Sequence, residues 1–173
     1  IEKFAAATLA QLGRLLQPET PSTDVQSSGF VATLEHDRLQ LLANTDYLAE
    51  SSPTYFSQKD LPEHVCRLIQ QVRQEEQCIF QEQIYVDYFH SRYGLENIIF
   101  FQNPSPLNDI EQDLLRIFSG NIAVAFDNIY LNQAIVSTQK EVIFTLGQVI
   151  DTRSKETDHH VKRIAALAYA LAL

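Results

Sequence analysis

The sequence has no Met and no Trp, only five Gly and two Cys, and 13 basic residues against 22 acidic ones. A net charge of -9 and a pI near 4.9 argue against general nucleic-acid or anionic-membrane binding, and leave room only for a local basic patch. No apolar run approaches the roughly 18 residues of a membrane span, and no signal peptide opens the chain. Cys66 and Cys78 lack zinc-ligand spacing, and two Cys make no disulfide framework, so both read as buried thiols of a cytoplasmic protein. Without Met the natural start is missing, and any lost Met position would shift the seams described next. No Gly-rich phosphate loop, Ser-His-Asp order or Cys-His nucleophile signature occurs in residues 1–150. His64 and His90 stand alone and read as ordinary surface or core histidines.

What is present centres on residues 109–153, a stretch without Pro and with Gly only at 120 and 147. One apolar seam steps alternately by four and three through Ile110, Leu114, Ile117, Asn121, Val124, Asn128, Leu131, Ile135, Thr138, Val142, Thr145 and Val149. A second runs beside it through Leu115, Phe118, Ile122, Ala125, Ile129, Asn132, Val136, Gln139, Ile143, Leu146 and Ile150. A single helix of this length would span about 65 Å, too long for one small domain, which points to a coiled-coil connector. Two seams suggest two tasks, packing on the chain's own domain and pairing with a partner helix. Two shorter helices broken near Gly120 or Gly147 are the alternative.

Upstream, residues 1–17 read as a helix with Phe4, Leu9, Leu12, Leu15 and Leu16 on one side, ended by Pro18 and Pro21 and followed by a polar loop to residue 28. This helix packs either beside the long one or on the sheet. Residues 30–35 and 39–44 form a hairpin around His36, Asp37 and Arg38. Residues 45–59 are a loop whose Tyr47, Tyr55 and Phe56 either lid a pocket or anchor the loop. A helix over 61–74 follows, with Asp60 as N-cap, Glu63 at N3, Pro62 in the first turn, and Val65, Leu68, Ile69 and Val72 as its buried stripe. Residues 78–90 alternate, with Phe80, Ile84, Val86 and Tyr88 on one face and Tyr85 and Phe89 on the other. A turn at 91–94 leads to a central strand at 95–102. Asn108, three residues before Glu111, caps the long helix. The order implies an α+β domain with an antiparallel sheet.

Chemistry is confined to the tail. The apolar pattern breaks at residues 154–158 and resumes at Val161, Ile164, Ala165, Leu167, Ala168 and Leu171 as a new helix. Glu156 and His160, four apart, are a partial site for a divalent metal, a weak signal by spacing alone. Arg153, then ETDHH, then Val161 and Arg163 resemble the opening of an HD-GYP domain, a family of metal-dependent phosphohydrolases that cleave cyclic di-GMP. That resemblance places Glu156 and His160 at two metal-ligand positions and implies iron or manganese in the intact parent. Asp158 stands where the family has glycine, and the His-Asp pair and GYP segment are absent, so this piece is expected to be non-catalytic and to hold no tightly bound metal.

The body, through GFVATLEHDRLQLLAN and FSGNIAVAFDNIYLNQAIVSTQKEVIFTLGQVIDTRSKET, resembles the GAF-like domain of unknown function found between a receiver domain and an HD-GYP domain in bacterial response regulators. The resemblance implies a GAF-like antiparallel sheet with flanking helices over residues 1–106 and a long coiled-coil dimerisation helix over 107–153. Residues 154–173 would then begin a phosphohydrolase domain. It further implies a homodimer contacting through Ile110, Leu114, Ile117, Val124, Leu131, Ile135, Val142 and Val149, with a receiver upstream, HD-GYP downstream, and neither nucleic acid nor membrane as partner. The function expected is signal transmission to a cyclic di-GMP phosphodiesterase of a two-component system. The alternative is a small-molecule sensor with a pocket lined by Tyr47, Tyr55, Phe56, Tyr85 and Phe89.

Overall fold

The alternating segments pair into one antiparallel sheet. The strands are β1 (Ser28–Glu35), β2 (Arg38–Thr45), β3 (Tyr55–Ser57), β4 (Ile79–Gln81), β5 (Ile84–His90) and β6 (Glu96–Gln102). Their order is β3-β2-β1-β6-β5-β4, so the first and last long strands, β1 and β6, lie side by side at the centre. The computed structural model describes residues 1–16, 27–35, 38–49, 54–92, 94–153 and 159–171. The expected loop after the first helix, the turn residues His36 and Asp37, and the metal candidate Glu156 lie outside them. Among the helices are α1 (Glu2–Leu15), α2 (Glu63–Glu75), α3 (Asp109–Arg153) and α4 (His159–Leu171).

Two strand expectations need correction. Residues 78–90 are a tight hairpin rather than one strand, because Glu82 adopts a left-handed φ of 51° and the chain reverses there. Phe80 therefore pairs with Tyr85 and Ile79 with Val86, which puts Phe80 on the opposite face from the one its number predicts. Segment 45–59 is not all loop, since β3 pairs Phe56 with Leu39 and extends the sheet by one short edge strand. Gly29 sits within β1, where a Cβ would run into the carbonyl oxygen of Phe100 on the neighbouring strand. Glycine is what lets β1 and β6 approach there.

Helix α2 closes one face. Val65, Leu68, Ile69 and Val72 are at most 5% exposed and pack into Phe30, Ala32, Leu34, Leu39, Phe56, Val86, Ile98 and Phe100. Burying each such side chain contributes up to about 1.5–3 kcal/mol, so this stripe alone accounts for the helix. Its start differs from expectation. Pro62 occupies the N-cap and no side chain caps α2. Asp60 instead serves a preceding 3-10 turn, Gln58–Asp60, accepting from the Ser57 backbone N–H at 2.9 Å. The proline takes the cap place because it needs no N–H partner and its fixed φ suits the entry.

The opposite face carries α1 and the first turns of α3. Ala5, Thr8, Leu9, Leu12 and Leu16 are buried, whereas Leu15 stands 38% exposed. Phe4 meets Phe126 of α3 edge-on at 5.0 Å, so α1 lies both on the sheet and beside the long helix. Helix α3 is continuous for 45 residues, through Gly120 and Gly147. Asn108 and Glu111 form a reciprocal capping box at its start, with N···O distances of 2.8 and 2.9 Å. The residues divide into two units, Ile1–Asp127 and Asn128–Leu173. Within the second, α4 returns close enough to α3 for Lys140 to lie 4.8 Å from the Tyr169 ring centroid. No helix among the described residues is long and apolar enough to cross a membrane.

Candidate functional site

Over residues 115–129 the two seams of α3 have different fates, whereas farther on Val136, Ile143 and Leu146 of the second seam are exposed as well. Leu115 and Ile122 are buried, Phe118, Ala125 and Ile129 half-buried, and the deepest neighbour is Phe126 at 0% exposure. The inward stripe is thus Leu115, Ser119, Ile122 and Phe126, turned slightly from the predicted line because Phe126 fills the space between Phe4 and Phe89. The other seam is exposed. Ile110, Leu114, Ile117, Val124, Leu131, Ile135, Val142 and Val149 are each between 43% and 74% exposed. Scattered exposed apolar residues are ordinary, but a file of them at alternating four and three spacing is the pattern of a helix that packs on another helix.

Beneath α3 lies a buried polar cluster that sequence reasoning missed. Asp87 on β5 is 2% exposed and accepts the Tyr85 hydroxyl at 3.0 Å. Ser119 of α3, half-buried, acts to lower the pKa of both Asp87 and Tyr85. Burial pushes the Asp87 carboxyl above its ordinary range, opposed by hydrogen bonds from Ser119, Tyr85 and the Tyr88 backbone. Tyr85 is held well above its ordinary value by burial first and the Asp87 charge second. The Cys78 thiol is raised by burial and then by Asp87, with Arg116 pulling the other way. Arg116 also stacks over Phe80, 5.0 Å from the ring centroid. Farther along, Phe89 packs on Phe126 at 5.1 Å, and the Arg92 backbone N–H donates to Asp127 at 3.1 Å. β5 and α3 are therefore tied along their shared length. A signal was available: Asp87 falls between Tyr85 and Phe89 on an inward-facing period-two line, where an acid is out of place.

The aromatic pocket candidates do not come together. Tyr47 packs on Phe100 at 4.5 Å and on Phe30 at 5.8 Å, and Phe56 meets Phe30 edge-on, all on the α2 face. Tyr47 anchors its loop, helped by the Asn44 side chain, which accepts from the Leu48 N–H and donates to its carbonyl. Tyr85 and Phe89 belong to the other face, and Tyr55 is 49% exposed on β3. Cys66 and Cys78 are free and half-buried rather than fully buried. Burial raises both thiols, so they stay protonated and poorly nucleophilic.

In the tail, Arg153 ends α3 and His160 is the second residue of α4. Among the described residues no three of His, Cys, Asp and Glu gather as a metal would require. The described residues therefore do not fit a complete metal centre.

Known proteins bear on this arrangement. One relative, the 3'3'-cGAMP-specific phosphodiesterase 2 of Vibrio cholerae serotype O1, is 25% identical over 181 aligned residues, covering 99% of this chain and 33% of the relative. The chain thus spans about a third of the length of the curated relative it matches. No solved structure matches it. Residues 1–135 match the family described as Domain of unknown function (DUF3369), and with so large a share matched, the chain belongs to that family.

Proposed function

We propose that this chain is a regulatory, signal-transmitting module of a cyclic-dinucleotide phosphodiesterase, and that it works as a homodimer through α3. The observation that supports the reading is the exposed apolar seam from Ile110 to Val149, which runs beside a stripe buried at Leu115, Ile122 and Phe126. Asn121 and Asn128 within that seam would fix the register of the pair at some cost in stability. The relative's name supplies the substrate class, and its threefold greater length supplies room for other domains in one polypeptide. By resemblance those are a receiver upstream and an HD-GYP domain downstream, with the sheet unit GAF-like. The relative's name also widens the expected substrate from cyclic di-GMP to cyclic dinucleotides as a class.

The ring contacts of Tyr47 with Phe30 and Phe100, and of Phe56 with Phe30, support a relay over a small-molecule sensor. Glu156 and His160 would contribute to a metal centre in the parent, with iron or manganese as the candidates; no step is assigned to them in this chain. Light scattering at high micromolar concentration should give a dimer, and Leu131→Glu with Ile135→Glu should give a monomer whose sheet remains folded by circular dichroism. A monomeric wild type would refute the reading. In the intact parent, the same double change should lower phosphodiesterase activity without unfolding the catalytic domain.

A further inference from the structure

We infer that the two copies pair along α3 in the same direction, and that Asn121 and Asn128 select that direction. The inference rests on the dimer reading and adds to it the orientation of the second copy. Spacing alone does not settle that orientation. The seam positions from Ile110 to Val149 are symmetric about the middle of the file, between Ile129 and Tyr130. Laid parallel, each residue meets its own counterpart. Laid antiparallel, the file overlaps itself just as fully, with Val124 opposite Ile135, Asn121 opposite Thr138 and Asn128 opposite Leu131. Both alignments cover the same apolar side chains over about 58 Å of helix. Burial of hydrocarbon therefore does not distinguish them.

The polar positions do. Thr138 and Thr145 have already placed their hydroxyl protons, donating to the carbonyls of Ala134 at 2.9 Å and Glu141 at 2.8 Å within the same helix. Neither needs a partner across the seam. Asn121 and Asn128 are exposed in the single chain, and each carries donors and an acceptor that pairing removes from water. In the parallel alignment each of them meets the same Asn of the second copy, so one amide N–H donates to the other's carbonyl. In the antiparallel alignment Asn128 faces the Leu131 side chain, which offers neither group. Asn121 then faces Thr138, whose proton is committed. Two-fold symmetry repeats both mismatches. A buried polar group without its partner is penalised more heavily than a matched one is rewarded, which is how one Asn layer sets the alignment of paired helices. In the parallel pair, the stretch Leu115–Phe126 that is buried on each copy's own domain lies level with its counterpart. Both copies of α3 also end at one level, so whatever follows them in the parent is delivered side by side.

Disulfide formation reads the direction, because it needs Cα atoms within about 7 Å of each other. Val124→Cys and Ile135→Cys, at exposed seam positions, would be made singly in chain carrying Cys66→Ser and Cys78→Ser, one of them with a size tag. Each is treated with oxidised glutathione alone, and the two together after joint unfolding and refolding. The sites lie three helical turns, about 16 Å, apart on one helix, so parallel pairing links like with like and antiparallel pairing links only unlike chains. Each variant alone should link to itself. The mixture should give less than about a tenth as much mixed as like product, the least preference that unmatched buried amides impose. Asn121→Leu with Asn128→Leu should raise the mixed product to the level of the like products. Mixed product in excess, or equal amounts of all three without the Asn changes, would overturn the parallel pair. Mixed product still scarce after both Asn changes would overturn the role given to the two Asn. Light scattering of the reduced samples separates this inference from the one beneath it. A monomer sinks the dimer reading and this inference with it, whereas a dimer that links in no combination sinks only the alignment inferred here.

Discussion

Against α2 the sheet presents Phe30, Ala32, Leu34, Val86, Ile98 and Phe100, an unbroken apolar field. Against α1 and α3 it presents Val31, Ile99 and Phe101 interrupted by Thr33, Asn97 and Asp87, all of them buried. Both faces are dry, but they differ in how much a covering helix is told where to sit. The α2 face rewards any apolar stripe of the right volume. On the other face the Thr33 hydroxyl meets Asn97 at 3.1 Å and Asp87 meets Tyr85 at 3.0 Å, and hydrogen bonds of that kind tolerate little displacement. One face is thus uniformly apolar, whereas the other holds paired polar groups among its apolar residues.

The largest effect that would test this contrast is expected at the centre of the α2 face. Phe100→Ala should cost about 3–5 kcal/mol in urea denaturation, since its ring touches both Phe30 and Tyr47. A loss under half of that would mean the apolar face is not where stability resides. Asn108→Ala removes the side-chain half of the α3 capping box and should cost about 1 kcal/mol, visible as faster amide exchange in the first turn of α3 with α2 unchanged.

The subtlest test is a slope rather than an offset. Folding raises the Asp87 carboxyl above its ordinary value of 3.8, so the native state holds this proton more tightly than the unfolded chain. The cost of burying the ionised group is absent below 3.8, grows as pH rises through the folded pKa, and is constant above it. Asp87→Asn cannot ionise, so its stability relative to wild type should increase with pH across that window and then level off. A difference independent of pH would mean that Asp87 is not buried as a carboxylate.

What could be read from the sequence is what local physics determines. The Asn108–Glu111 cap, the stripe of Val65, Leu68, Ile69 and Val72, and the course of α3 all depend on residues within a few positions of one another. The reversal at Glu82 escaped because QEQ contains no Gly or Asn to mark a left-handed residue, and only pairing between Ile79–Gln81 and Ile84–His90 reveals it. Strand β3 escaped because three residues are too few for a period. The burial of Asp87 depends on packing between different elements, so spacing could not announce it. The alternation around Asp87 did contain the hint. Period two separates Tyr85 and Phe89 from Ile84, Val86 and Tyr88, but the face that Phe80 serves depends on the reversal at Glu82, which a lone sequence does not display.

The brevity of the outer strands has a consequence for how such chains coexist at high concentration. Each edge of the sheet is a strand of three residues, β3 on one side and β4 on the other. Exposed sheet edges are where unrelated chains dock by adding strands, and long flat ones seed fibres. Here β3 covers the start of β2 and β4 the start of β5, so the edge a foreign strand would meet is stepped and offers few consecutive free amides. Arg116 stacked on Phe80 places a cation over the β4 margin, which further discourages strand addition there. The fold thus makes its sheet a poor meeting place for the strands of other chains.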